Sequence, residues 1–131
     1  YKSLGNYQEG LRLIDIGIKY ADEIVQRDSK NASSLNDYAL LLTVKGKLLM
    51  LLNQPDAGKE YFIKALEVLE PLIVDNEEIT YLNNVFTIHL HLGNENKARD
   101  IAKILSSRGF KRREFIELCI EFDLDECSLN Q

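Results

Sequence analysis

Apolar residues recur at helical spacing along almost the whole sequence, and this periodicity limits the fold more than any other feature. Two stripes with intervals of three or four residues are Leu11, Ile14, Ile18 and Ala21, and then Tyr61, Ala65 and Leu69. Such intervals place side chains on one face of an α-helix, whereas a half-buried strand requires alternation with a period of two. Because alternation of any length is missing from the sequence, we predict an all-α fold.

Turn and capping residues divide the sequence into six predicted helices. We expect Gly5 and Asn6 to open the first complete helix, with Tyr1 in a helix that precedes it. The helices are predicted over residues 5–28, 35–52, 55–74, 78–92, 95–107 and 112–123. Pro71 is expected to truncate or kink the third helix, and Gly93 and Gly109 are expected to end the fourth and fifth. The tail from Asp125 onward is predicted to fray.

Composition and charge exclude several classes of partner. The chain is 45% hydrophobic and 28% charged, which is typical of soluble globular domains. Its formal net charge of -5 leaves no basic field to neutralise nucleic-acid phosphates or anionic lipid, so no direct nucleic-acid partner is expected. The most apolar stretch, residues 39–52, is interrupted by Lys45 and Lys47 and is shorter than the roughly 20 residues that a bilayer requires. We therefore expect no membrane partner.

The two cysteines, Cys119 and Cys127, are too few for the dense disulfide framework of a small secreted domain. We therefore predict a reducing, cytoplasmic setting. Cys119 is predicted to be a small core residue of the last helix.

No residue pattern predicts catalysis. His89 and His91 lie about 200° apart on a helix, so they are not expected to chelate one ion, and we interpret them as packed or surface histidines. Acidic residues are scattered over helix starts and outward faces, and no glycine-rich phosphate loop follows a strand. We predict no catalytic residue, no metal site and no cofactor.

A short basic cluster has two readings. It consists of Arg108, Lys111, Arg112 and Arg113. The cluster would suit an acidic or phosphorylated partner segment. A solvated turn is the favoured interpretation, because charge runs are usually exposed faces.

Three related segments recur along the chain, at residues 4–11, 52–59 and 92–99. Each contains leucine, a turn pair that begins at Gly5, Asn53 or Gly93, and a small residue five positions after it. Asn53 follows Gly5 by 48 residues and Gly93 follows Asn53 by 40 residues, so the repeats are unequal in length. Internal repetition at this scale is typical of stacked helical hairpins.

The pattern resembles the tetratricopeptide repeat, a helix-turn-helix unit of about 34 residues. The matching positions are Gly5, Tyr7, Gly10, Ile14 and Gly17, then Gly46, Leu49, Gly58, Phe62 and Ala65, and then Leu82, Gly93 and Ala98. The chain departs from the family at Pro55 and Glu95, which replace a turn aromatic, and at Phe86 and Leu105, which replace small residues. The repeats are therefore degenerate.

This resemblance implies antiparallel helix-turn-helix repeats stacked as a short solenoid with a C-terminal capping helix. One domain over residues 1–131 would comprise a partial repeat at 1–30, repeats at 33–74 and 76–108, and a capping helix at 111–124. The sequence would then be a fragment of a longer chain that starts inside a repeat. The closing segment, residues 92–110, also resembles the C-terminal repeat regions of bacterial regulatory proteins that carry a kinase or winged-helix domain upstream.

The resemblance also implies a binding groove formed by the first helix of each repeat. The groove-facing positions map onto Thr43, Lys47, Met50, Asn83, Thr87 and Leu90. The carboxylate clamp of chaperone-binding members is not reproduced, because Thr43 and Thr87 occupy positions that the clamp requires. We therefore expect a non-catalytic scaffold that binds a protein or peptide ligand.

A second hypothesis is self-association of two copies. The exposed apolar residues would be Leu40 and Leu51, or Phe115 and Phe122 of the last helix. The alternative interpretation of the last helix is that its apolar stripe caps the end of the repeat array.

Overall fold

The computed structural model describes residues 2–75 and 78–127, and side chains for residues 5–73 and 78–127. Within these ranges the chain is helical and forms no strand, which confirms the all-α prediction. The α-helices are α1 (Lys2–Arg27), α2 (Ala32–Leu51), α3 (Pro55–Asp75), α4 (Ile79–Leu92), α5 (Glu95–Ser107) and α6 (Arg113–Glu121). A 3-10 helix follows at Asp125–Cys127.

Four helices end in the same backbone motif. A residue one or two positions after the helix is left-handed, with φ of 65° at Asn53, 80° at Gly93, 75° at Gly109 and 53° at Asp123. In each case the next amide donates to a carbonyl five residues earlier, as in Asn94 to His89 at 2.8 Å and Leu124 to Cys119 at 2.9 Å. This motif satisfies carbonyls at a helix end and reverses the chain direction. The predictions that Gly93 and Gly109 end helices are confirmed.

The start of α2 depends on a side-chain cap. Asn31 is extended, with φ of -76° and ψ of 106°, and its side chain accepts a hydrogen bond from the Ser34 amide at 3.0 Å. An asparagine at this position satisfies one of the amides that lack a partner inside the helix. Asn31 therefore caps α2, which begins three residues before the predicted start.

The predicted start of the first complete helix is wrong. Gly5 and Asn6 do not open a helix, because α1 runs through both without a break, and Gly5 lacks the left-handed conformation of Gly93. A glycine inside a helix costs about 1 kcal/mol relative to alanine, which is too little to break a long helix unless packing demands a turn. Pro71 does not truncate α3, which continues to Asp75. Tyr1, Asn76 and Glu77, which entered other boundary predictions, lie outside the described residues.

The chain divides into two compact units, Tyr1–Leu72 and Ile73–Gln131, and each is described by itself. In the first unit α1 packs on α2, where Gly10 faces Leu48 and Gly17 faces Leu41. Lys45 adds a polar link, since its Nζ donates to Asp15 Oδ1 at 2.5 Å and lies 4.4 Å from the centroid of the Tyr61 ring. Glycines thus allow α1 to pack closely on α2, and the Lys45 ammonium group of α2 contacts both Asp15 of α1 and the Tyr61 ring of α3.

The second unit has an aromatic core. The ring centroids of Phe86 on α4 and Phe115 on α6 lie 5.1 Å apart, and those of Phe110 and Phe115 lie 5.2 Å apart. Ala98, Ala102 and Leu105 of α5 are fully buried beside them. None of the helices formed by the described residues combines the length and the apolar character that crossing a lipid bilayer requires.

Candidate functional site

The predicted groove residues on α2 belong to the first unit, and Thr43 is the most buried of them. Only 6% of Thr43 is exposed, and its hydroxyl donates to the Ala39 carbonyl at 2.8 Å. A threonine hydroxyl that donates to the carbonyl four residues earlier is committed to its own helix. In this structure Thr43 therefore contributes packing and offers no free donor to a ligand.

Lys47 and Met50 differ in how accessible their side chains are to a ligand. Lys47 is exposed, yet neighbouring protein atoms partly desolvate its ammonium group, and this desolvation lowers the pKa of Lys47. Met50 is half-buried, and its Cγ would lie 3.2 Å from a Cβ added to Gly58. Met50 is therefore part of the contact between α2 and α3, and Lys47 is the accessible member of the predicted set on α2.

The predicted residues on α4 belong to the second unit and also differ in exposure. Leu90 is 4% exposed, so it packs inside this unit's helices. Thr87 is half-buried, and its hydroxyl donates to the Asn83 carbonyl at 3.0 Å. Like Thr43, Thr87 uses its donor within its own helix.

Asn83 is the polar group of α4 whose hydrogen bonding is incomplete. Its carboxamide oxygen, Oδ1, is buried and accepts no hydrogen bond from any described residue, although the residue as a whole is half-buried. A buried acceptor without a donor costs about 1–3 kcal/mol relative to a satisfied one. A ligand with an N–H or O–H group that reaches this oxygen would recover that free energy. Asn83 is therefore the residue of the predicted set with an unused binding capacity.

The two histidines are placed as structural or surface groups. His89 is buried, and the Asn94 side-chain amide donates to its Nδ1 at 3.1 Å, which makes Nδ1 the acceptor of the ring. This bond ties the end of α4 to the turn that follows it. His91 is half-buried. Among the described residues, no group of three histidine, cysteine or acidic side chains is arranged to hold a metal ion.

The basic cluster is exposed at the connection between α5 and α6. Arg108, Lys111, Arg112 and Arg113 are all exposed, and Arg113 donates to Glu117 at 2.9 Å on the next turn of α6. An exposed pair of this kind contributes less than about 1 kcal/mol to stability. The cluster therefore lies on the solvated turn that the favoured interpretation expected.

The C-terminal segment contains a disulfide that the sequence analysis missed. Cys119 of α6 is bonded to Cys127 of the 3-10 helix, with their Cα atoms 6.3 Å apart. Cys119 is buried as predicted, but pairing removes the argument that the two cysteines indicate a reducing compartment. The left-handed residue Asp123 turns the chain back on α6 and so brings the two cysteines together.

Two further contacts hold this segment on α5. Arg99 Nη1 donates to Glu126 Oε1 at 2.7 Å, and Ser106 Oγ donates to the Cys127 carbonyl at 2.9 Å. The prediction of a frayed tail is therefore wrong for residues 125–127, while residues 128–131 lie outside the described residues. One contact with α6 and two with α5 hold this segment in place, whereas an isolated short segment would fray.

The two predicted self-association surfaces differ in how exposed their residues are. Phe115 is buried against Phe86 and Phe110, so it presents almost no surface to a second copy. Leu40 and Leu51 are exposed on α2.

No protein-family model matches the chain, and neither a curated protein nor a solved structure matches it.

Proposed function

We propose that the chain is a non-catalytic protein-interaction module of tetratricopeptide-like repeats, stacked as a short solenoid with α6 as its cap. Helical hairpins with short turns support this proposal, as do the left-handed turn residues at two of the three repeat starts, Asn53 and Gly93. Small residues at the helix contacts support it as well, namely Gly46 and Gly58 between α2 and α3, and the fully buried Ala98 of α5. Repeat arrays of this kind present extended surfaces to protein ligands.

The observation that carries the binding proposal is that no residue in the described part of the chain donates a hydrogen bond to Oδ1 of Asn83. An extended peptide supplies backbone N–H donors, and one such donor would satisfy this acceptor once the half-buried Asn83 side chain turns its oxygen towards the surface. Thr43 and Thr87 are excluded as donors to the ligand because both hydroxyls donate within their own helices. The ligand class is therefore a peptide segment that donates through its backbone.

Lys47 supplies a second, independent contact on α2. Its exposed side chain carries a positive charge whose ammonium group is partly desolvated. An acidic side chain on the ligand would stabilise that charge, because the attraction strengthens where water is excluded. We propose that the ligand of this module carries at least one acidic residue.

The cellular setting is part of the same proposal. The net charge of -5 opposes direct binding to nucleic acid or to anionic membranes. We propose a regulatory protein as the parent chain, with a kinase or winged-helix domain as its output and no cofactor in this region.

The test selects peptides from a random library on the immobilised chain and measures their affinity by calorimetry. Asn83→Ala should weaken binding roughly tenfold, as expected for one buried hydrogen bond, and circular dichroism should show an unchanged fold. Asn96→Ala is the matched control, because Asn96 is an exposed residue of α5, and it should leave affinity unchanged. Equal affinities for the Asn83 and Asn96 variants would overturn the assignment of Asn83.

Lys47 rather than Met50 is the probe for α2. Substitution of Met50 would disturb the contact with Gly58 and so confuse binding with folding. Lys47→Glu should abolish selection of acidic peptides while retaining the helical content. If the selected peptides carry no acidic residue, or if Lys47→Glu binds them as well as the original chain, the charge requirement is wrong.

A further inference from the structure

A row of large apolar side chains lies exposed along α1. The exposed fractions are 54% for Leu13, 44% for Ile16, 63% for Tyr20 and 50% for Ile24. Single exposed apolar residues are common on protein surfaces, but a contiguous set of this size is typical of an interaction surface. These four residues are called the α1 stripe.

The α1 stripe occupies a narrow face of the helix. Its members are three or four residues apart, which places them within an arc of about 80° and along about 16 Å of the helix axis. Leu13, Ile16 and Tyr20 have the spacing of successive a, d and a positions of a two-helix coiled coil, and Ile24 lies at the e position beside the next d.

The α1 stripe is not the face that packs on α2. That contact uses Gly10, whose Cβ position lies 3.6 Å from Leu48, and Gly17, whose Cβ position lies 3.6 Å from Leu41. The helix thus places a half-buried side against α2 and presents a second apolar side outward.

Two opposite charges bracket the α1 stripe on the same face. Glu9 precedes Leu13 by four residues, and Arg27 follows Ile24 by three. Both are exposed, and Glu9 also accepts a hydrogen bond from Arg12 Nη2 at 2.7 Å. The distance from Glu9 to Arg27 along the helix is about 27 Å. The face therefore carries a negative end, an apolar middle and a positive end.

We propose that the α1 stripe is the interface between two copies of this chain, which pair α1 with α1 in antiparallel orientation about residue 18. In this register Glu9 of one copy lies opposite Arg27 of the other. Leu13 lies one residue, or about 1.5 Å along the axis, from the position opposite Ile24, which is within contact distance for these side chains. Ile16 and Tyr20 meet each other around the two-fold axis. Every apolar member therefore finds an apolar partner, and both ends form oppositely charged pairs.

The charge order on α1 selects this occupant and this orientation. A two-fold interface brings the same surface of both copies together, so the surface must be complementary to itself. A parallel pair would place Glu9 against Glu9 and Arg27 against Arg27, and like charges in register destabilise a helix pair. The antiparallel pair replaces both repulsions with attractions.

The proposal is separable from the peptide-binding proposal. It depends on residues of α1, whereas peptide binding depends on Asn83 of α4 and Lys47 of α2. A chain that dimerises without binding peptides, or the reverse, would distinguish the two.

Sedimentation velocity of the 131-residue chain over a wide concentration series tests the interface. We expect a reversible dimer, and Tyr20→Glu should shift it to monomer by weakening association at least 100-fold, because two charges would be buried near the axis. Leu51→Glu is the matched control, since Leu51 is 56% exposed on α2 and belongs to the rival self-association surface. It should leave the dimer intact.

Charge reversal tests the register. Glu9→Arg or Arg27→Glu alone should each weaken the dimer roughly tenfold, because each alters two symmetry-related pairs. The double variant restores opposite charges across the axis and should recover most of the lost affinity. Circular dichroism of each variant verifies that α1 is still folded.

Three outcomes would overturn the proposal. The first is a monomer at every concentration, which would assign the α1 stripe to a different occupant. The second is a dimer that Leu51→Glu dissociates and Tyr20→Glu does not. The third is a double charge variant that is no stronger than the single variants, which would exclude the antiparallel register.

Discussion

Gly46 and Gly58 bring α2 and α3 together with no side chain between the two backbones. A Cβ added to Gly58 would lie 2.8 Å from the Gly46 carbonyl oxygen. A Cβ added to Gly46 would lie 2.8 Å from Phe62 Cε1 and 3.0 Å from the Gly58 carbonyl oxygen. All three distances are shorter than van der Waals contact, so the approach requires glycine at both positions.

The first prediction concerns this contact. Gly58→Ala should lower the free energy of unfolding by about 1–3 kcal/mol, because backbone atoms must move apart to admit the methyl group. Urea denaturation followed by circular dichroism measures the change, which should appear as a lower midpoint at unchanged slope.

Gly5→Ala is the matched control for that variant. Gly5 is exposed inside α1, and nothing lies within 4 Å of a Cβ added there. The substitution should raise the free energy of unfolding by up to about 1 kcal/mol, because alanine favours the helix. A Gly58→Ala chain as stable as the original would contradict the described contact.

The second prediction concerns the disulfide. Cys119 and Cys127 close a loop with a sequence separation of 8, and such a loop restricts the unfolded chain by about 2–3 kcal/mol. Reduction should therefore lower the free energy of unfolding by about that amount. Denaturation with and without a phosphine reductant measures it.

The control is the Cys119→Ala, Cys127→Ala double variant. It should be as unstable as the reduced chain and should not respond to reductant. If the reductant shifts both chains equally, its effect does not come from this bond. Alkylation of the oxidised, denatured chain should modify no cysteine.

The third prediction concerns the pH dependence of the Glu126 contact. A hydrogen bond from its own backbone amide lowers the pKa of Glu126 below 4.5; desolvation opposes this, and Arg99 adds to the lowering. As pH falls, the Glu126 carboxylate is therefore protonated at a higher pH in the unfolded chain than in the folded chain. The stabilisation is therefore complete above about pH 4.5 and is lost as pH falls through the lower folded pKa.

Glu126→Gln isolates this contribution, since every other group titrates alike in both chains. The original chain should have the higher Tm at pH 6, and the difference should shrink steadily below about pH 4.5. A difference that stays constant down to pH 2.5 would rule out the assigned pKa direction.

The fourth prediction compares two lysines of α2. Burial acts to lower the pKa of Lys45, but hydrogen bonds with Asp15 and Tyr61 and the charges of both groups outweigh it and raise that pKa. Desolvation lowers the pKa of Lys47, and no opposing cause offsets it. NMR titration of the two side chains should place Lys45 above 10.5 and Lys47 below it.

The sign of the Lys47 shift has a consequence for stability. Because folding disfavours its charged form, stability should rise as pH increases through the lowered folded pKa towards the ordinary value. Lys47→Met should remove this rise and should stabilise the chain at pH 7. A less stable Lys47→Met chain would show that the lysine forms a favourable contact instead.

Helix existence and most turns were predictable because their causes are local. The α5 helix has the predicted bounds, residues 95–107, since Asn94 and Gly109 flank a strongly amphipathic segment. The turns at Asn53 and Gly93 follow from residues that adopt a left-handed backbone at low cost. The same type of residue at Gly5 makes no turn, because a turn also requires packing that draws the flanking helices together.

Side-chain exposure at the candidate site was less predictable. The resemblance to the repeat family assigned Thr43, Met50 and Leu90 to an open wall, but the structure buries Thr43 and Leu90 and packs Met50 against the Gly58 backbone. Neighbouring helices decide how much of each face remains accessible, and a single-helix pattern does not include them. The unpartnered oxygen of Asn83 likewise depends on what surrounds it.

The amino-acid sequence by itself determined the all-α class, the order of the helices and the helix ends at Gly93 and Gly109, because helical periodicity and turn chemistry act over a few residues. Only the tertiary structure decided that Gly46 meets Gly58, that Cys119 pairs with Cys127 and that Leu13 and Tyr20 remain exposed. These features depend on which faces of separate helices meet. That choice is a balance of packing over the whole of each unit, and no local pattern records it.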